Sequence, residues 1–168
     1  MKKLLMLASL LTWFGLKAGA APLEINARVP DVTGIDQDGK SIALKEVAAK
    51  GYVLVYFYPK ADTPGCTAQA CSLRDAYAEL QQKGVRVLGV SADTPEAQRQ
   101  FKEKYHLPFE LIADKEGKVI DAFGVPRIPV IGLASRQAFL FRDGVLVWRD
   151  LKASTKQQAA DVLKVLAQ

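Results

Sequence analysis

The sequence has little of what most redox and metal chemistry uses. Its 168 residues include two cysteines, Cys66 and Cys71, and one histidine, His106. These do not supply the four ligands of a zinc site. His106 precedes "LPF" at a helix end and reads as a capping or solvated residue. No C-x-x-C occurs, so the signature of a thiol–disulfide exchanger is missing. No apolar run approaches the ~20 residues needed to cross a bilayer. There is no Lys/Arg stripe, and the formal charge of +5 falls to +2 once Lys2, Lys3 and Lys17 are set aside. Such a balance does not support nucleic-acid binding. Repeats, low-complexity tracts and linkers are also missing, as suits a single domain of this length.

The N-terminus reads as a secretory signal over residues 1–20. "MKK" is the positive start, "LLMLASLLTWFGL" (Leu4 to Leu16) the apolar region, and "AGA" the small residues before a cut ahead of Ala21. An uncleaved anchor is the rival reading, but thirteen residues ended by Lys17 fall short of a span. The absence of cysteine near the cut argues against a lipid-attached end. The mature protein, residues 21–168, is therefore expected in the periplasm or otherwise secreted, where disulfides persist.

Beyond residue 21 the chain alternates strand and helix. Asp38-Gly39 between short apolar stretches marks a hairpin. "YVLVYFY" (52–58) is an unbroken apolar and β-branched run, suited to a strand buried on both faces. A helix is expected from Pro64 to about Lys83, with Thr63 as N-cap and with Leu73, Ala76, Tyr77 and Leu80 on one face. "VRVLGVS" (85–91) and "FELIAD" (109–114) read as strands, with helices at 94–106 and 116–124. A Pro/Gly-rich loop runs from Val125 to Ser135. A hairpin over 137–148 and an amphipathic helix over 154–168, with Ala160, Val162, Leu163 and Leu166 apolar, complete the chain. This order predicts an α/β fold of thioredoxin-like kind: a central mixed sheet, antiparallel in part, flanked by helices.

Both cysteines fall within "YFYPKADTPGCTAQACSLRD". Pro64 fits the first helical position, so Cys66 lies in the first turn. Unpaired N–H groups and the positive end of the helix dipole there favour a thiolate, the nucleophilic form. Positions i and i+5 of a helix have Cα atoms roughly 8.6 Å apart, beyond the ~7 Å that a disulfide spans. A permanent Cys66–Cys71 staple would need the helix broken at its start. Geometry disfavours it without closing that alternative. Composition and spacing by themselves reach only an α/β domain with a reactive cysteine.

"PKADTPGC" (Pro59 to Cys66) has the P-x-x-x-T-x-x-C pattern of peroxiredoxins. With Cys71 five residues on, it resembles their bacterioferritin-comigratory protein (peroxiredoxin Q) branch. "VLGVSADTPEAQRQF", "KYHLPFELIAD", "FGV" and "RQAFLF" resemble that branch in the same order. The resemblance implies a monomeric, cofactor-free and metal-free thiol peroxidase acting on hydrogen peroxide and organic hydroperoxides. Cys66 would be the peroxidatic nucleophile, passing through a sulfenic acid. Cys71 would be the resolving thiol, forming an intramolecular disulfide that a thioredoxin-like donor reduces. Thr63 would offer its hydroxyl to peroxide or thiolate, Pro59 would shape the pocket, and Arg136 would set a guanidinium beside the sulfur. The "GGLG" and C-terminal "YF" segments that brace the site of sensitive peroxiredoxins are missing. An extracytoplasmic redox sensor or thiol–disulfide exchange protein is the competing reading.

Overall fold

A computed structural model describes residues 21–168, so the expected export signal lies outside the described residues. Thr33–Ile35 (β1) and Ser41–Ala43 (β2) form an antiparallel hairpin. Its turn uses the residues that tight reversal requires. Gly39 adopts φ 79°, a conformation that costs glycine little. The Asp36 carboxylate accepts the N–H groups of Asp38 and Lys40, each at 2.8 Å. A short helix, Leu44–Val47 (α1), leads into the main sheet.

That sheet contains Tyr52–Phe57 (β3), Val85–Ser91 (β4), Glu110–Ala113 (β5), Gln137–Arg142 (β6) and Val145–Asp150 (β7), in the order β5-β4-β3-β6-β7. β3, β4 and β5 run parallel, and β6 and β7 add the antiparallel half. Helices connect the parallel strands: Pro64–Asp75 (α2) and Tyr77–Gln82 (α3) between β3 and β4, and Pro95–Lys104 (α4) between β4 and β5. Lys118–Ala122 (α5) leads from β5 to the antiparallel half, and Gln158–Leu166 (α6) closes the chain. This is the thioredoxin-like mixed sheet that the alternation of elements predicts.

The two-residue period of β3 divides the core. Leu54, Tyr56 and Tyr58 pack with Leu73, Leu80, Phe101 and Val162, beneath α2, α3, α4 and α6. Val53, Val55 and Phe57 pack on the other face with Val119, Ile120, Phe123 and Phe139. Both faces are dry, which is why 52–58 reads as a continuous apolar run rather than an alternating one. Gly89 gives the space for this packing. A Cβ there would stand 2.8 Å from the Tyr56 hydroxyl and 2.7 Å from a Leu111 methyl.

Three local expectations are corrected. The helix expected over 64–83 is two helices, because Ala76 leaves helical geometry at φ −95°, ψ 6°. No Gly or Pro marks that break. Leu73 and Leu80 are both fully buried on its two sides, so packing onto the sheet overrides local propensity. Thr63 occupies the N-cap position but makes no side-chain cap bond; its hydroxyl instead donates to the Lys60 carbonyl at 2.9 Å. In α6, Ala160 is exposed and its neighbour Ala159 is buried. The helix starts only at Gln158, and Val162, Leu163 and Leu166 meet the core as the apolar pattern suggested, with Ala159 in place of Ala160.

Candidate active site

The site lies beyond the carboxyl end of β3, where ligands of α/β sheets commonly bind. Pro59 ends the strand and opens a loop that the rest of the fold ties down. The Ala61 N–H donates to the Asp93 carboxylate at 2.8 Å, and the Ser91 hydroxyl donates to the same carboxylate at 2.7 Å. Asp62, at φ 57°, accepts from Lys104 Nζ at 2.7 Å and from the Tyr105 hydroxyl at 2.6 Å. The Lys104 bond, with that of Tyr105, holds the Asp62 carboxyl below its ordinary range. Beneath the loop the Tyr58 hydroxyl donates to Gln98 Oε1. Gln98 Nε2 donates to Ser91 Oγ at 2.8 Å and to the Ile112 carbonyl at 3.0 Å. Burial pushes the Tyr58 phenol far up, so it stays a neutral donor.

From this anchored loop the chain enters α2. Pro64 is its first residue, and Cys66 and Cys71 both lie within the helix as free thiols. Cys66 is 2% exposed and packs against the core, whereas Cys71 is half-buried. A regular helix from 64 to 75 keeps their Cα atoms roughly 8.6 Å apart, so they do not form a staple in this state.

Arg136 reaches the sulfur from the other half of the sheet. Phe57, the last residue of β3, pairs with Gln137, the first of β6. The register therefore delivers Arg136 to the edge where α2 starts. Arg136 Nη2 donates toward Cys66 Sγ at 3.4 Å. Gly65 accommodates the approach, because a Cβ there would crowd Nη2 at 3.3 Å, closer than ordinary van der Waals contact. The guanidinium at this distance and the N–H groups of the helix start surround the sulfur with hydrogen-bond donors. Of the five residues singled out in the sequence, Cys66 and Arg136 are in contact. Thr63, Pro59 and Cys71 lie on the same loop and helix without a bond to either.

Two further residues escaped the sequence reading. Arg136 Nη1 donates to Gln69 Oε1, and Gln69 Nε2 donates to Gln158 Oε1 at the start of α6. Both glutamines are buried. Gln69 stands three residues after Cys66, one turn along the same helix face, and that spacing was a usable signal. Gln158, 89 positions away, had none. The Tyr56 hydroxyl is also buried, and it has no hydrogen-bond partner. Burial holds that phenol well above its ordinary value. Among the described residues no three His, Cys, Asp or Glu side chains gather as a metal-binding group.

The AhpC/TSA family profile matches residues 25–149. Peroxiredoxin bcp1 of Schizosaccharomyces pombe is 38% identical over 122 residues, covering 73% of this chain and 62% of that protein. The chain spans between half and two thirds of the length of several curated relatives that it matches. Peroxidoxin BcpB from Mycobacterium tuberculosis has a similar structure, with TM-score 0.79 and 30% identity over 86% of this chain and 97% of its own. So has the Xanthomonas campestris bacterioferritin comigratory protein, solved as trapped intermediate and ligand complexes in a study of its alkyl peroxide reduction activity. Its TM-score is 0.76, with 27% identity over 88% of this chain and 98% of that one. With its profile match covering most of the described fold, this chain belongs to the AhpC/TSA family, on the side of the peroxiredoxin Q and bcp proteins.

Proposed function

We propose that this chain is a thiol peroxidase that reduces hydrogen peroxide and organic hydroperoxides and is recycled by a thioredoxin-like dithiol donor. The observation that carries the reading is the Arg136 guanidinium 3.4 Å from the Cys66 sulfur at the first turn of α2. The Cys66 thiolate attacks the terminal peroxide oxygen. The O–O bond breaks, sulfur is oxidised to a sulfenic acid, and the leaving oxygen departs as alkoxide or hydroxide and takes up a proton. Arg136 stabilises charge on the sulfur before attack and on the peroxide oxygens during it. The Cys71 thiol then attacks the sulfenic sulfur, forming the Cys66–Cys71 disulfide and releasing water. Two electrons from the external dithiol restore both thiols. The peroxide activity named for the Xanthomonas relative supports the assignment. In the same reading Thr63 and Pro59 shape the peroxide pocket, and residues 21–168 act as one monomeric domain.

The test is peroxide consumption by purified protein with thioredoxin, its reductase and a nicotinamide cofactor as the electron supply. Absence of consumption, with thiols intact, would overturn the assignment. Export to the periplasm or beyond belongs to the same proposal and rests on "MKK", the apolar run and "AGA". A mature chain starting at or near Ala21 is expected by N-terminal sequencing, and a chain retaining Lys2 would exclude cleavage.

A further inference from the structure

We infer that Gln158, at the start of α6, is a positioning residue that acts through Gln69 to hold Arg136 against Cys66 and to keep the Cys66–Cys71 turn of α2 closed. This rests on the peroxidase reading and extends it to a third element of the fold.

The direction of the hydrogen bonds is set by chemistry. A guanidinium only donates. Its contact with Gln69 therefore fixes the Gln69 carbonyl toward Arg136 and leaves the Gln69 amide nitrogen to donate onward. The acceptor it finds is Gln158 Oε1. The side chain of Arg136 has as its partners among the described residues the Cys66 sulfur and this neutral carbonyl. Nothing anionic there competes with the thiolate for the guanidinium. Gln69 is wholly buried and Gln158 is 1% exposed, so water does not replace either bond when it is lost. The chain of donors ends at Gln158 Nε2, which is buried and without a partner. Leaving a buried donor unpaired is unfavourable. It is tolerated here while the carbonyl end of the same amide holds Gln69.

The position of Gln69 gives the relay its second effect. It lies between the two cysteines in α2. Bringing Cys71 to Cys66 requires that turn to unwind, and unwinding carries Gln69 away from both Arg136 and Gln158. The relay therefore exists only in the state that attacks peroxide. It favours that state and opposes disulfide closure. Removing the Gln158 acceptor should move the two chemical steps in opposite directions, which a merely destabilising change would not do.

The experiment uses the full chain with hydrogen peroxide. Sulfenic acid formation at Cys66 is followed in a Cys71→Ser background with a sulfenate trap. Closure of the disulfide is followed with Cys71 present, by quenched-flow alkylation and mass spectrometry. Gln158→Met keeps length and bulk but lacks the acceptor, and Gln158→Glu keeps an acceptor at the same reach. For Gln158→Met we expect attack slowed about tenfold and closure hastened by a similar factor, the equivalent of ~1.4 kcal/mol in each barrier. Gln158→Glu is expected to restore attack toward the unmodified rate. Should Gln158→Met fail to fold, Gln69→Met removes the same bond and must give the same split. Unchanged rates, or both rates lowered together, in a folded variant overturn the inference. If the unsubstituted protein forms no sulfenic acid, the peroxidase reading itself has failed, a result distinct from failure of the relay.

Discussion

Arg136 and Cys66 are 70 positions apart in the chain, yet the guanidinium donates to the sulfur at 3.4 Å. The antiparallel pairing of Phe57 with Gln137 makes this contact, because it brings the start of β6 to the strand end from which α2 departs. Arg136→Ala should slow oxidation of Cys66 by hydrogen peroxide roughly ten- to hundredfold, as the loss of a hydrogen bond to a charged group implies. Arg136→Lys should recover only part, since a point charge does not reproduce the fork that holds sulfur and Gln69 together. An undiminished second-order rate in Arg136→Ala would return this residue to a bystander.

The two thiols should fail in different ways. Cys66→Ser is expected to lose peroxide turnover while its far-ultraviolet circular dichroism is unchanged. Cys71→Ser should still consume about one equivalent of peroxide to form sulfenic acid at Cys66, and a second equivalent, when peroxide is in excess, to form sulfinic acid, visible as successive mass increments. Normal turnover by Cys66→Ser would remove the nucleophile from the mechanism.

Helix α2 must open for the disulfide to form, because ~8.6 Å across five helical residues exceeds the ~7 Å limit. Opening has a natural stop at Ala76, where the helix already breaks, and Tyr77 and Leu80 beyond it are seated in the core. Amide hydrogen exchange should show protection lost between about Cys66 and Leu73 in the oxidised protein and retained from Tyr77 onward. Equal protection in reduced and oxidised forms would rule out this opening.

Tyr56 carries a buried hydroxyl without a partner, next to Tyr58 at a ring separation of 5.4 Å. An unsatisfied buried group is costly, and the mechanism gives this one no task. Tyr56→Phe should therefore be more stable by about 1 kcal/mol in chemical denaturation, with unchanged turnover. A loss of turnover in a stable Tyr56→Phe protein would reveal a role for that hydroxyl.

The Asp62–Lys104–Tyr105 contact ties the loop before Cys66 to the end of α4. The Asp62 carboxyl is held below its ordinary range, so the folded state binds its proton less tightly than the unfolded chain does. Its contribution is present in full above the ordinary carboxylate range and is lost as pH falls through the depressed folded value. Asp62→Asn should flatten the acid limb of the stability profile and leave stability below that range unaltered. The effect should shrink with added salt, because the pair is exposed. An acid limb identical to that of the parent protein would remove Asp62 from the loop anchor.

What the sequence determined is local. The unbroken apolar run at 52–58 specified a strand buried twice over, Asp38-Gly39 specified a turn, and Pro64 ahead of Cys66 put a thiol in the first turn of a helix. Each depends on side-chain period or backbone preference within a few residues. The Pro59–Cys66 pattern and Arg136 were legible through resemblance to a family, and the structure brought Arg136 to Cys66. Other features depended on packing between distant segments. The break at Ala76 follows from seating Leu73 and Leu80 on one sheet, with no breaker residue to announce it. Thr63 turns its hydroxyl back to Lys60 rather than capping α2. Gln69 and Gln158 look like ordinary surface glutamines until the register of β3 with β6 and the packing of α6 on α2 bury them together. Hydrogen-bond partners 67 and 89 positions apart leave no mark on local periodicity, so only the tertiary structure could decide them.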